Sequence, residues 1–243
     1  MPARPVNQPP NLVDLDKMRP AGLHGGGSPI ARIRPVMSRQ PDSIEKFSAR
    51  AAYYGHRIPY HPQLISDLAQ SLAVTENSRL LDLCCGTGEL ATGFIDHVGR
   101  IFAVDGSREM LSLAVRHEKI AYAQCDVNAE TFRAPEPVDH IIVGRAVHWI
   151  NPKGLANQVE ANLRDGGKIA VCSVRWRAAD DWREPYCRVL YRYRAASNRA
   201  NFDYTGKTIL GAIGFTAVDD VAITAQFRLN LDRKSTRLNS SHT

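Results

Sequence analysis

Three observations predict an α/β fold with a mostly parallel sheet covered by helices on both faces. Short apolar runs alternate with helix-length segments through most of the chain. The first run, Leu80-Leu81-Asp82-Leu83, passes straight into the glycine-rich turn Cys84-Cys85-Gly86-Thr87-Gly88. The three leading runs each deliver an acid at or near their ends, Asp82, Asp105 and Asp126. Consecutive parallel strands therefore bring carboxylates to one edge of the sheet, where ligands of such sheets bind.

The elements follow in order. An amphipathic helix over 61–74 carries Leu64, Ile65, Leu68, Ala69 and Leu72 at helical spacing and precedes a strand at 79–83. Gly86 and Gly88 lack a Cβ, so the backbone can turn sharply and a ligand can approach closely. A helix over 88–98 then points its unpartnered N–H groups at the crevice. The second strand, 101–105, ends in Asp105, 23 residues beyond Asp82; from there a carboxylate reaches both hydroxyls of a ribose. A helix over 107–117 leads to a strand at 120–124, followed by Asp126 and Val127. Further helices are predicted over 152–163 and 183–198, with strands at 139–144, 167–174 and 216–228. Gly166-Gly167 forms the turn into the fifth strand, and the alternation from Thr216 to Leu231 suggests an antiparallel edge strand. Each acid, taken singly, reads equally well as a helix cap or turn residue.

A chain of 243 residues holds one full α/β domain. Pro, Gly and Arg dominate residues 1–40, which are expected to be a disordered extension, with the folded domain at 41–231. Residues 232–243 are polar and aperiodic and are expected to be an unstructured, non-native tail of the kind a vector or adapter sequence leaves on a truncated chain. The formal charge is +6, but residues 1–40 hold six Lys/Arg against two acids and residues 232–243 three against one. The 22 basic and 22 acidic side chains of the domain balance, which argues against a strong nucleic-acid footprint. Arg188, Arg192 and Arg194, interleaved with Tyr191 and Tyr193, form the one basic and aromatic cluster, and they read equally as a solvated helix face. No apolar run reaches 18 residues, so no membrane span is expected. Five cysteines, an odd number without CxxC spacing, suit reduced thiols in a cytoplasm and argue against a zinc site. The oligomeric state is open.

Leu81-Asp82-Leu83-Cys84-Cys85-Gly86-Thr87-Gly88, Val104-Asp105-Gly106-Ser107 with Met110-Leu111, and Cys125-Asp126-Val127 resemble a class I S-adenosylmethionine-dependent methyltransferase. Gly144-Arg145-Ala146-Val147-His148-Trp149-Ile150 and Leu163-Arg164-Asp165-Gly166-Gly167-Lys168 resemble the fourth strand and the turn before the fifth in its small-molecule (type 11-like) group. Phe47-Ser48, Tyr53-Tyr54-Gly55 and Ile58-Pro59-Tyr60-His61-Pro62 resemble its N-terminal segment. The resemblance implies a Rossmann-like sheet of seven strands, of which six are found, so the seventh is expected to be missing. It implies S-adenosyl-L-methionine as cofactor and a small-molecule methyl acceptor. Asp82 would approach the amino group of the methionine part, which Gly86 and Gly88 would line. Asp105 would hold the ribose hydroxyls, Met110 and Val127 would flank the adenine, and Asp126 would accept from its amino group. Cys84 departs from the family, which usually has glycine there, and a strained backbone is expected at that position.

Methyl transfer is an in-line displacement in which positioning supplies much of the acceleration, with a base added where the acceptor must lose a proton. His148, after the fourth strand, is the candidate base, and Trp149 a wall of the acceptor pocket; both read equally as a cap and as core packing. Tyr53, Arg57 and Tyr60 are the further acceptor-pocket candidates, from a segment expected to close as a lid, with Arg57 reaching the cofactor carboxylate. The aromatic segment from Trp176 to Asn201 is another place for the acceptor. Gly86-x-Gly88-x-x-Ala91 also fits a nicotinamide-cofactor loop, but that scheme leaves Asp82 and Asp126 without a task. A nucleic-acid methyltransferase and a methyltransferase fold without activity also stay open.

Overall fold

The computed structural model describes residues 42–173, 206–215, 221–223, 228–231 and 238–241. Five parallel strands form the sheet: β1 (Arg79–Leu83), β2 (Arg100–Asp105), β3 (Ile120–Gln124), β4 (Val138–Gly144) and β5 (Leu163–Cys172), in the order β3-β2-β1-β4-β5. The chain order reverses between β1 and β4, and a crevice opens there beyond the carboxyl ends of the strands. Register is simple: Leu81 faces Phe102 on β2 and Ile141 on β4. An irregularity between Val138 and His140 lets β5 begin at Leu163, so Gly166, at φ 71°, lies within the strand rather than ahead of it.

Side-chain alternation divides the core between the two faces. Leu81, Leu83, Phe102, Val104, Ile141, Val143 and Ile169 share one face with Leu155 of α5 (Pro152–Asn162) and with Ile209 and Leu210 of α6 (Gly206–Ala212). Leu80, Ile101, Ala103, Ile142 and Ala170 share the other with Ile65, Leu68, Ala69 and Leu72 of α2 (Pro62–Leu72). His61 caps α2, its Nδ1 accepting from the Gln63 N–H at 3.2 Å.

The helices after the first two strands are shorter than predicted. Only Glu89–Gly93 (α3) and Arg108–Ser112 (α4) are α-helical. Beyond them the chain continues through three-residue turns: Phe94 N–H donates to Ala91 and His97 N–H to Phe94, Leu113 N–H to Met110 and Ala114 N–H to Leu111. These tight turns bury Phe94 and Val98 completely. Ahead of the sheet, α1 (Asp42–Ser48) and the 3₁₀ turn Ala51–His56 lie over the crevice.

The C-terminal expectations need correction. Of the strand predicted at 216–228, residues 216–220 and 224–227 lie outside the described residues, 221–223 are irregular, and Arg228 opens β6 (Arg228–Leu231). It pairs antiparallel with β7 (Leu238–Ser241) in a separate two-stranded sheet. Residues 238–241, expected to be unpaired coil, are thus paired in a strand, though not beside β5. Among the described residues the main sheet has fewer strands than the seven the resemblance implies. The extension at 1–40, the helix at 183–198, the arginine cluster within it and the whole of Trp176–Asn201 lie outside the described residues.

Candidate active-site crevice

Two chambers meet at the carboxyl edge of β1, β2 and β4, sharing a wall of Tyr54, Cys84 and Arg145. The larger spans about 620 Å³ of empty space, part of it open solvent. Its floor is Met110, Cys125, Asp126 and Val127, Asp105 and Gly86 bound one side, and Phe47 and Trp149 close over it. The smaller, about 290 Å³, is lined by Asp82, Cys85, Glu89, Leu90, Gly144 and Tyr60.

Asp82 is fully buried on β1. Its Oδ2 accepts from the Ala91 N–H at 3.2 Å, while Oδ1 has no hydrogen-bond partner among the described residues. Burial pushes its carboxyl well above the ordinary carboxylate range, against the Ala91 N–H bond. Asp105 ends β2 and ties the glycine loop down. One oxygen accepts from the Gly86 N–H at 2.8 Å and the other from the Ser107 N–H at 2.8 Å. Each carboxylate oxygen has a second lone pair, so Asp105 retains acceptor capacity toward the larger chamber. Burial raises its carboxyl too, with the Ser107 and Gly86 N–H bonds opposing the shift.

The turn between β1 and α3 is left-handed at three residues: Cys84 at φ 57°, Gly86 at φ 58° and Gly88 at φ 76°. The backbone demand inferred at Cys84 is therefore real, because a Cβ in this region costs about 1–2 kcal/mol. Burial and the neighbouring Asp105 and Asp82 carboxylates push the Cys84 thiol up, so it is no ready nucleophile. A Cβ at Gly86 would stand 3.3 Å from the Tyr54 ring. One at Gly88 would overlap Tyr122, so Gly88 serves the packing of Tyr122 on the turn, outside the chamber walls.

The N-terminal segment borders the crevice through Tyr54 rather than through the expected Tyr53. Tyr53 is 63% exposed, whereas Tyr54 lies against Gly86 and lines both chambers. Arg57 is exposed; it donates to the Tyr54 hydroxyl and stacks on its ring at 4.7 Å. Phe47 meets Trp149 edge-on at 5.2 Å, and the Ser48 and Ser107 hydroxyls bond at 2.9 Å. Tyr60 takes its place in the smaller chamber, its N–H donating to Glu89 at 2.8 Å.

His148 and Trp149 share the 3₁₀ turn Val147–Trp149, their rings 5.1 Å apart. Trp149 lines the larger chamber, whereas His148 lines neither chamber. Burial, helped by the Arg57 charge, lowers the imidazole's pKa, so the ring is neutral near pH 7.

Three wall residues were not singled out from the sequence. Asn128 joins the loop after β3 to the loop after β4, donating to the Trp149 carbonyl at 2.8 Å and accepting from the Asn151 N–H at 2.8 Å. Glu89 bonds Tyr60 and faces Arg145 Nη1 at 3.6 Å. Arg145 holds its backbone at φ 54° and places its guanidinium 4.0 Å over the Tyr60 ring. A buried, paired guanidinium leaves no periodic signal in a sequence, and only the left-handed position after Gly144 hints at one.

Residues 80–167 match a family model described as a methyltransferase domain. The fold is that of a class I S-adenosylmethionine-dependent methyltransferase. A solved structure titled as a putative methyltransferase from an antibiotic biosynthesis pathway of Anabaena variabilis superposes with a TM-score of 0.50 at 19% identity, covering 65% of this chain and 63% of that one. An uncharacterized methyltransferase of Mycobacterium bovis is 31% identical over 144 residues, 59% of this chain and 56% of that protein. The probable S-adenosylmethionine-dependent methyltransferase CRG1 of Saccharomyces cerevisiae is 29% identical over 128 residues, 49% and 44% of the respective chains. The chain spans about half the length of these curated relatives. The match to the methyltransferase domain includes Asp82, Asp105, Met110, Asp126, Val127, Arg145, His148 and Trp149. Phe47, Tyr54 and Tyr60 precede it.

Proposed function

We propose that this chain is an S-adenosylmethionine-dependent methyltransferase acting on a small molecule. One observation carries the reading: the buried, unpartnered Asp82 Oδ1 stands in a small chamber that shares a wall with an apolar one bounded by Asp105 and Asp126. A cofactor with an ammonium at one end and an adenosine at the other matches that distribution. Asp82 would accept from the ammonium, which supplies the charge its burial lacks. Asp105 would accept from the ribose hydroxyls, with Gly86 allowing close approach. Met110 and Val127 would flank the adenine, and Asp126 would face its amino group. When bound, the cofactor supplies an already activated methyl group. Positioning is then the main task left to the protein.

Phe47, Tyr54 and Trp149 line the open chamber and would shield a bound cofactor from part of the surrounding water. Tyr60 and Trp149 border the space where an acceptor would lie, with Arg57 at its outer edge. His148, neutral near pH 7, would take the proton of a hydroxyl or amine acceptor, through water or after the Trp149 turn shifts. The enclosed chambers and the charge balance of the domain favour a small acceptor over a nucleic acid. Incubating the protein with methyl-tritiated S-adenosylmethionine and a fractionated cell lysate tests this. Label is expected in the small-molecule fraction; label confined to protein or nucleic acid would refute the acceptor class.

A further inference from the structure

Arg145 is the least satisfied charge in the crevice. Its side chain is 9% exposed, yet Nε and Nη2 have no hydrogen-bond partner among the described residues. Among the described residues only Nη1 has an anion near it, Glu89 at 3.6 Å, and the other Glu89 oxygen already accepts from Tyr60. Asp105 bonds Gly86 and Ser107 with no hydrogen bond to Arg145, and Asp82 leaves its own Oδ1 unpaired rather than turning it to Arg145. The two vacant nitrogens are not a random pair. Nε–H and Nη2–H lie parallel along one edge of the guanidinium, the edge that matches the two oxygens of a carboxylate.

The rest of the local structure holds that edge in place. The Arg145 N–H donates to the Cys172 carbonyl of β5 at 2.8 Å, which fixes the left-handed turn after β4. The guanidinium then lies over the Tyr60 ring and borders both chambers. Strain of this kind persists where the surroundings over-determine it and is concentrated at ligand clamps. Leaving a buried donor unpaired is costly, more so for a charged group, and a ligand anion would remove that cost.

We infer that Arg145 is a carboxylate clamp that fixes which ligand the crevice accepts, an inference that rests on the methyltransferase reading above. Two sources carry such a group. One is the amino-acid end of the cofactor, with Asp82 taking its ammonium and Arg145 its carboxylate across the smaller chamber. The other is a methyl acceptor that is itself a carboxylic acid. Either way the task falls to Arg145 in place of the exposed Arg57.

Titration calorimetry on the full chain and its Arg145→Gln variant tests the clamp, with matching thermal melts to verify folding. The probes are S-adenosylmethionine, its decarboxylated analogue, and benzoate and benzamide added in the presence of saturating S-adenosylhomocysteine. If the cofactor supplies the group, Arg145→Gln loses at least tenfold in affinity for S-adenosylmethionine and nothing for the decarboxylated analogue. If the acceptor supplies it, both cofactor forms bind unchanged and benzoate loses at least tenfold while benzamide does not. Arg145→Lys, which keeps the charge without the parallel edge, is expected to restore little of either loss. Equal binding of every probe by parent and variant, absence of binding included, overturns the clamp, as does an equal loss for the carboxylate and carboxylate-free member of each pair. A parent that binds benzoate through Arg145 but none of the adenosyl compounds would sink the methyltransferase reading and leave the clamp standing.

Discussion

Cys84 shows how one side chain can work against its own backbone. It sits at φ 57° where both chambers meet. Replacing it with glycine removes a left-handed penalty of about 1–2 kcal/mol and adds an unfolded-state entropy cost of about 0.4–1 kcal/mol. Cys84→Gly should therefore unfold at an unchanged or slightly higher denaturant concentration, with S-adenosylmethionine bound more tightly. A loss of more than about 1 kcal/mol in urea titration would show that the thiol packs better than its backbone suggests. Asp105 calls for a gentler change. Alanine would release the Gly86 and Ser107 amides together with the ribose, confusing loop collapse with lost binding. Asp105→Asn keeps one carbonyl acceptor, and its expected loss of about 1.5–3 kcal/mol in cofactor affinity reflects the charge-assisted bonds. Full affinity in a folded Asp105→Asn protein would remove the ribose assignment.

At the scale of elements, β4 carries a titration of its own. Burial lowers His140 to about 4, with Asp139 opposing the shift and Lys168 and Arg164 adding to it. Its Nδ1 has no partner among the described residues. The unfolded histidine takes up its proton near pH 6.5, so between that pH and about 4 the unfolded state binds more protons. Stability contributed by neutral His140 is thus full above about pH 6.5 and is lost as pH falls toward 4, by on the order of 3 kcal/mol. The raised carboxyls of Asp82 and Asp105 slope the other way above their unfolded values, so the comparison must be made against a variant. His140→Leu should flatten the pH dependence of the urea midpoint between pH 4 and 6.5; an unchanged slope would contradict the burial argument. The loop after β3 is held with equal economy. Asn128 bonds both Trp149 and Asn151. Asn128→Ala should cost about 1–3 kcal/mol in stability and weaken adenosine binding in the same titration.

Across the whole molecule, what the sequence made legible was the sheet. Apolar runs, the first three with an acid at or near the end, placed β1 to β4 within a residue of their observed bounds, because a buried parallel strand needs a mostly apolar run and writes it into the chain. The helices after β1 and β2 are shorter than their patterns suggest, since periodicity cannot distinguish an α-helix from successive three-residue turns that bury the same Phe94. Tyr53 and Tyr54 have the same chemistry one residue apart, and only the phase of the 3₁₀ turn decides which one meets Gly86. Arg145 was legible only as one residue of a motif and Glu89 not at all, because their pairing depends on Tyr60 reaching them from another element. The β6–β7 hairpin was hidden for the same reason, since its pairing joins segments with weak individual signals.

Whether this crevice is an S-adenosylmethionine site is tested most directly by titration calorimetry of S-adenosylmethionine and, separately, NADH into the full chain and its Asp82→Asn variant. Asparagine keeps an oxygen for the Ala91 N–H but removes the charge that an ammonium would meet. The expected result is one molecule of S-adenosylmethionine bound per chain, no binding of NADH, and an affinity about 10- to 100-fold lower in Asp82→Asn. Binding of NADH without S-adenosylmethionine, or S-adenosylmethionine bound equally well by both proteins, would contradict it.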